Sequence, residues 1–141
     1  MRSPAPWLLM ACAGLAQANP ALQAGQQLFT GAKPLVAHMA GHAQPLPRDA
    51  ARCVNCHAAP GIPAAQGQGG GLGPALNSRR LMQAMARRGG PPSRYDSAAF
   101  CRAMREGIDP AGVRLGSAMP QYPVGDETCR MLWTLVTSDL P

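Results

Sequence analysis

The sequence has few of the large apolar side chains from which most protein cores are built. Leu, Ile, Val and Phe together account for 23 of the 141 residues, about 16%, which is below the roughly 20% usual for a chain that folds around its own side chains. Charged residues make up 14%, too few for disorder driven by charge repulsion. The length excludes a two-domain enzyme. We therefore expect one small domain whose core is completed by something other than side chains.

Long apolar runs are also missing. No apolar stretch approaches the roughly 18 residues needed to cross a membrane as a helix. Residues 1–18 instead have the pattern of a cleaved export signal. Arg2 is basic, residues 7–15 are mostly apolar, and residues 16–18 form a small-x-small cleavage pattern. This predicts a mature chain that begins at Asn19 and contains no transmembrane segment.

The export signal predicts an oxidising destination, the periplasm in a Gram-negative bacterium. A minor alternative is a lipoprotein, because Leu9-Met10-Ala11-Cys12 resembles a lipoprotein processing site with Cys12 as the lipidated residue.

The most specific motif in the chain is Cys53-Val54-Asn55-Cys56-His57, the C-x-x-C-H pattern of covalent haem attachment. Two cysteines one helical turn apart project to the same side, where each can form a thioether with one porphyrin vinyl group. The histidine that follows then lies beneath the iron as its proximal ligand.

Three other interpretations of Cys53 and Cys56 are a zinc knuckle, a redox-active pair and a simple disulfide. A zinc site needs a second pair of ligands, and Cys101 and Cys129 are too far apart to form a knuckle. A thioredoxin-like site needs a preceding strand, and no alternating strand pattern is present. The motif therefore favours one covalently bound haem c per chain.

The residue expected on the other side of the iron is Met119. It precedes Pro120 in a loop-like segment, and the proline holds the Met119 backbone extended. Ligation by His and Met leaves no open position for a substrate and favours electron transfer. The remaining mature methionines are expected to be packing residues on helix faces: Met39, Met82, Met85, Met104 and Met131.

On these residues the chain resembles the class I, monohaem c-type cytochromes from about residue 25 to residue 140. Three further segments are similar to that family: 25–29 to its first helix, Gly73-Pro74-Ala75-Leu76 to its Gly-Pro-x-Leu stretch, and 105–122 to its methionine-bearing segment. The resemblance implies an all-α domain wrapped around one haem. It also implies that the Pro74 carbonyl accepts a hydrogen bond from the His57 ring and orients it.

Periodicity and capping residues predict five helical segments. Asp96 is expected to cap a helix that Gly107 ends, and Leu132, Leu135 and Val136 form the apolar stripe of the last helix. Residues 58–73 are expected to form a flexible loop. The predicted helices are Ala21–Phe29, Ala50–His57, Leu76–Arg87 with Leu81, Met82 and Met85 inward, a helix from Asp96 to Glu106, and a last helix that starts at Asp126 and Glu127.

Cys101 and Cys129 fall on the last two predicted helices. In an oxidising compartment, and with no other partner left for either, they are predicted to form a disulfide. The alternative is two buried free thiols.

Residues 33–49 form a long connection, rich in Pro and Gly, between the first helix and the haem motif. His38 and His42 are four apart and would share one face of a helix, but Gly41 and the prolines favour a loop with solvated histidines. A second metal site or an alternative iron ligand is the less favoured interpretation of these histidines.

The formal net charge is +6, and nearly all the basic residues are arginines. Four of them are expected close together on one predicted helix, with Arg94 just beyond: Arg79, Arg80, Arg87 and Arg88. A solvated helix face explains this cluster, and steering towards an acidic redox partner is the functional alternative. Nucleic acid is not an expected partner.

Together these patterns predict a periplasmic one-electron carrier rather than an enzyme, cycling its iron between Fe²⁺ and Fe³⁺. Its expected partners are a donor dehydrogenase or respiratory complex and an acceptor oxidase or reductase. One alternative is a dedicated cytochrome subunit of a periplasmic oxidoreductase, with residues 33–49 as its docking surface. A second alternative is a haem enzyme or sensor in which Met119 leaves one axial position open.

Overall fold

The computed structural model describes residues 19–65 and 72–140. Over these ranges the chain forms four α-helices and one short 3₁₀ turn, and isolated β-bridges are its only extended pairing. The elements are α1 (Pro20–Thr30), the 3₁₀ turn (Cys53–Asn55), α2 (Ser78–Met82), α3 (Ser97–Glu106) and α4 (Asp126–Val136). The predicted signal peptide with Cys12 lies outside the described residues, as does the centre of the predicted loop 58–73.

The two longest helices, α1 and α4, pack against each other. At Gly25 they approach so closely that a Cβ atom would lie 2.4 Å from the backbone oxygen of Met131. Leu28 and Phe29 of α1 belong to one buried cluster with Leu132 and Leu135 of α4. Burial of these apolar side chains contributes about 25 cal/mol per Å² removed from water.

Helix α1 confirms its prediction and is one residue longer at each end. The Asn19 side chain accepts hydrogen bonds from the backbone N–H groups of Ala21 and Leu22. Pro20 occupies the first turn, where its missing N–H costs nothing. Gly31 ends the helix at a φ of 85°, a left-handed conformation that favours glycine.

Helices α3 and α4 also confirm their predictions. Asp96 accepts a 2.8 Å hydrogen bond from the Ala99 N–H, and Gly107 ends α3 at a φ of 67°. Helix α4 begins at Asp126, and its predicted apolar stripe is buried: Leu132, Leu135 and Val136.

The prediction of one helix from Leu76 to Arg87 is wrong, because α2 ends at Met82. Beyond it, Met85 pairs with Ser93 in a β-bridge, and the Arg87 guanidinium returns to donate hydrogen bonds to backbone carbonyls at the end of α2. Leu81 is buried as predicted, but Met82 is 52% exposed and does not face the core.

The predicted helix from Ala50 to His57 shrinks to the three residues of the 3₁₀ turn. Residues 50 and 51 lie in turns rather than in a helix, and their backbone N–H groups both donate to the Pro47 carbonyl. The Asn55 side chain donates to the Asp49 carbonyl, which stabilises the sharp entry into the motif.

Along residues 19–65 and 72–140, no helix is both long and apolar enough to cross a membrane.

Candidate functional site

His57 lies at the centre of the candidate site and is 9% exposed. Its Nδ1 lies 2.7 Å from the Pro74 carbonyl oxygen, which is the contact expected from the sequence. Because a carbonyl can only accept, Nδ1 carries the proton and Nε2 keeps its lone pair. Burial lowers the pKa of His57, which favours the neutral imidazole that binds a metal ion.

Gly73 leaves room for the His57 ring. A Cβ atom at position 73 would lie 2.2 Å from Cε1 of the ring, far inside van der Waals contact. No side chain fits there unless the ring moves. The chain therefore holds the imidazole between a glycine and a carbonyl acceptor, two residues that are adjacent in the sequence.

Two cavities meet at His57. They have volumes of about 340 Å³ and about 430 Å³, and His57, Met119 and Arg88 line both of them. The second cavity is also lined by Cys53 and Cys56. The first is bounded mostly by apolar side chains, which include Leu76, Leu81, Met85, Tyr95, Phe100, Ala103, Met104 and Leu115.

The Met119 loop is tied to the rest of the site by the residue three positions later. Tyr122 is buried, and its hydroxyl donates a 3.0 Å hydrogen bond to the Ala51 carbonyl, just before the C-x-x-C-H motif. Its backbone N–H donates to the Met104 carbonyl of α3. Tyr122 therefore brings the two predicted ligand segments to one place, a contact that sequence reasoning missed.

The two cysteines of the motif are half-buried, and burial raises the pKa of the Cys53 thiol to about 11. Redox-active C-x-x-C pairs depend on a lowered thiol pKa to provide a thiolate nucleophile. Cys53 therefore lacks the electrostatic environment of such a pair.

An ion pair missed in the sequence lies at the wall that the two cavities share. Arg88 has a φ of 46°, rare for a residue other than glycine, and its guanidinium donates to Asp109 at 3.3 Å. Asp109 is fully buried, and its other carboxylate oxygen accepts from the backbone N–H groups of Ala111 and Val113. In the sequence, Asp109-Pro110 indicates a turn. No local pattern indicates that Arg88 is the partner of Asp109.

The four predicted helix-face arginines do not share one face, which corrects that interpretation. Arg79 and Arg80 are on α2, whereas Arg87 and Arg88 follow it. The Arg87 guanidinium lies 5.2 Å above the Tyr95 ring in addition to its carbonyl contacts. The Arg87 side chain therefore makes its contacts within the protein.

The methionine interpretation also needs correction. Met39 lies in the 33–49 segment rather than on a helix, and it lines the second cavity together with Met119. Met85 also lies outside the helices, and it and the buried Met104 line the first cavity. Met119 is the methionine that borders both cavities.

Cys101 on α3 and Cys129 on α4 are both buried and are present as free cysteines in the structure. Burial raises the pKa of Cys129, and the neighbouring Cys101 side chain raises it further. The two cysteines lie on helices that pack against each other, and their covalent pairing stays a prediction.

His38 and His42 lie in a non-helical segment, so they do not share a helix face. Among residues 19–65 and 72–140, no three His, Cys, Asp or Glu side chains are grouped as a metal site would require.

Comparison of the chain with protein family models, curated proteins and solved structures finds no match.

The described residues fit a covalently attached haem. His57 and Met119 line two mostly apolar cavities, the imidazole keeps a nitrogen lone pair, and two half-buried thiols line the second cavity. The thin side-chain core of the sequence is consistent with a large apolar group completing the interior.

Proposed function

We propose that the protein is a monohaem c-type cytochrome that carries single electrons. The observation that supports this most directly is the meeting of three separate segments at one pair of cavities. The C-x-x-C-H motif with His57, the segment of Pro74 that accepts the His57 hydrogen bond, and the Met119 loop all line these cavities.

In this proposal each residue of the site has one task. Cys53 and Cys56 bind the porphyrin through thioethers, His57 binds the iron through Nε2, and Met119 binds it through its sulfur. When bound, the haem supplies an iron atom that alternates between Fe²⁺ and Fe³⁺. Pro74 holds the imidazole in one orientation and tautomer, which keeps the ligand geometry the same in both oxidation states.

The surrounding residues favour an electron carrier over an enzyme. His57 and Met119 would hold the iron through an imidazole and a thioether, a ligand pair that would favour the ferrous state and would leave no position free for a substrate. Phe100 and Met104 from α3 cover one side of the apolar space, which limits the access of water. The proposal places the carrier in the periplasm, where it accepts electrons from a dehydrogenase or respiratory complex and passes them to an oxidase or reductase.

The first test is an optical spectrum of the purified holoprotein, oxidised and reduced, with and without carbon monoxide. We expect a low-spin c-type spectrum with a weak far-red sulfur-to-iron band and no response to carbon monoxide. A high-spin spectrum that shifts with carbon monoxide would contradict the proposal and indicate an enzyme or sensor with an open iron.

A matched pair of variants tests which methionine supplies the sulfur ligand. Met119→Leu should lose the far-red band and gain carbon monoxide binding. Met85→Leu changes a methionine that lines only the first of the two cavities, and it should keep the wild-type spectrum. If both variants keep the band, another residue is the ligand.

A further inference from the structure

Residues 33–49 form an ordered structure that the proposed electron transfer does not explain. The Leu46 N–H donates to the Ala37 carbonyl at 2.8 Å, and the His42 N–H donates to the Met39 carbonyl at 2.9 Å. Ala37 is completely buried. The segment is therefore folded back on itself and anchored in the core at Ala37.

This segment is paired with the Met119 loop. The His38 N–H donates to the Gln121 carbonyl at 2.9 Å, and the Gln121 N–H donates back to the His38 carbonyl at 2.8 Å. Gln121 is only two residues beyond Met119. Met39 and Leu46 from the same segment line the second cavity beside Met119, so the segment covers the site as well as pairing with it.

The Met119 loop is thus held from two sides. On one side the Gln121 side chain donates to the Glu106 carbonyl at the end of α3. On the other side the Gln121 backbone is hydrogen-bonded to the His38 backbone. Residues 116–118, which precede the methionine, are exposed. The backbone hydrogen bonds that join this loop to residues 33–49 are those between His38 and Gln121, and Tyr122 anchors the end of the loop through Ala51 and Met104.

We propose that residues 33–49 act as a strap that keeps the Met119 sulfur on the iron, with the His38 backbone as its positioning group. Opening the strap releases the methionine and turns a carrier into a haem protein that binds small diatomic ligands. This inference rests on the proposed function, because it requires that Met119 is the ligand.

The test compares two variants of the holoprotein at the same position. His38→Pro removes the N–H that donates to Gln121, whereas His38→Ala removes only the imidazole and keeps the backbone bridge. We expect His38→Pro to lose the far-red band and to bind carbon monoxide when reduced, while its helical circular dichroism is unchanged. His38→Ala should match the wild type on all three measurements.

The outcomes separate the strap from the proposed function. If the wild type lacks the far-red band, the proposed function fails. If the wild type has the band and a folded His38→Pro variant keeps it and excludes carbon monoxide, the strap is overturned while the carrier stands. Loss of the band in His38→Ala would also overturn the backbone role.

A measurement on the unaltered holoprotein covers the case in which His38→Pro does not fold. Amide hydrogen exchange at His38 and Gln121 reports how often the bridge opens. We expect carbon monoxide to enter the reduced protein no faster than these amides exchange, under conditions where every opening leads to exchange. Entry faster than exchange would show that Met119 leaves the iron while the strap is closed, which overturns the inference.

Discussion

At the scale of single residues, Asp109 shows how the fold holds a charge inside a chain that has few charges. Its carboxylate is fully buried, and such a group is costly to bury unless hydrogen bonds and an opposite charge compensate it. Two backbone N–H groups and Arg88 provide that compensation. The carboxylate thereby fixes both its own turn and the position of a guanidinium at the cavity wall.

We expect Asp109→Ala to lower the free energy of unfolding of the holoprotein by about 3 kcal/mol, because it leaves two partly buried N–H groups and a partly exposed cation without their carboxylate partner. Urea denaturation measures this change. Asp139→Ala, at an exposed position, is the matched control and should change stability by less than about 0.5 kcal/mol. Equal unfolding midpoints for the two variants would show that Asp109 contributes nothing specific.

The same two residues mark a limit of sequence-based prediction at this scale. The contact between His57 and Pro74 was predictable because the family resemblance implied it. Arg88 and Asp109 come from two separate turns, and only the folded chain brings these turns together. A local pattern contains no information on such a pair.

At the scale of elements, prediction succeeded where a helix is determined by its own residues. The Asn19 and Asp96 caps and the glycines at positions 31 and 107 are local signals, and the helices that they border were predicted within one residue. Helix α2 failed because a tertiary contact ends it: the Arg87 side chain takes backbone carbonyls that a longer helix would have used. Periodicity cannot show that competition.

The packing of α3 against α4 includes an ion pair that should respond to pH. Arg105 Nη2 lies 2.6 Å from Asp126 Oδ1, and this hydrogen bond lowers the pKa of Asp126 below its ordinary value of 3.8. A carboxylate with a lowered pKa stabilises the fold above the unfolded-state value, and this contribution is lost as the pH falls through the folded-state value.

We therefore expect the stability difference between the wild type and Asp126→Asn to be constant near neutral pH and to shrink as the pH falls below about 3.8. Chemical denaturation of both holoproteins from neutral to acidic pH measures it, and the subtraction removes acid effects that the two share. The difference should also shrink in high salt, because the pair is exposed. A difference that grows towards acid pH would contradict the assignment.

At the scale of the whole molecule, the arrangement of the helices could not be predicted from helix positions alone. Helices α1 and α4 form one packed pair, while α3 and the segment after α2 line a cavity beside it. The low content of large apolar residues indicated that side chains do not fill the interior. It did not indicate that Tyr122 and residues 33–49 would close the space around Met119.

Under the proposed function, a protein with this architecture should depend on the bound haem for stability. We expect the double variant Cys53→Ala/Cys56→Ala, which cannot attach the group covalently, to show reduced helical circular dichroism and no cooperative thermal transition, because the apolar cavity walls then face water. The wild-type holoprotein prepared in parallel is the reference. Native-like helix content with a cooperative melt in the double variant would show that the side-chain core is sufficient.

The contact of Gly25 with Met131 has a consequence for the order in which the molecule can form. Helix α1 contacts the 3₁₀ turn, but its most extensive packing is with α4, so this packing cannot form until residues 126–136 have been synthesised. Contacts between residues so distant in sequence slow folding. The haem motif lies between the two helices in the chain, so its cysteines emerge, and can react, before the helices that complete the fold have met.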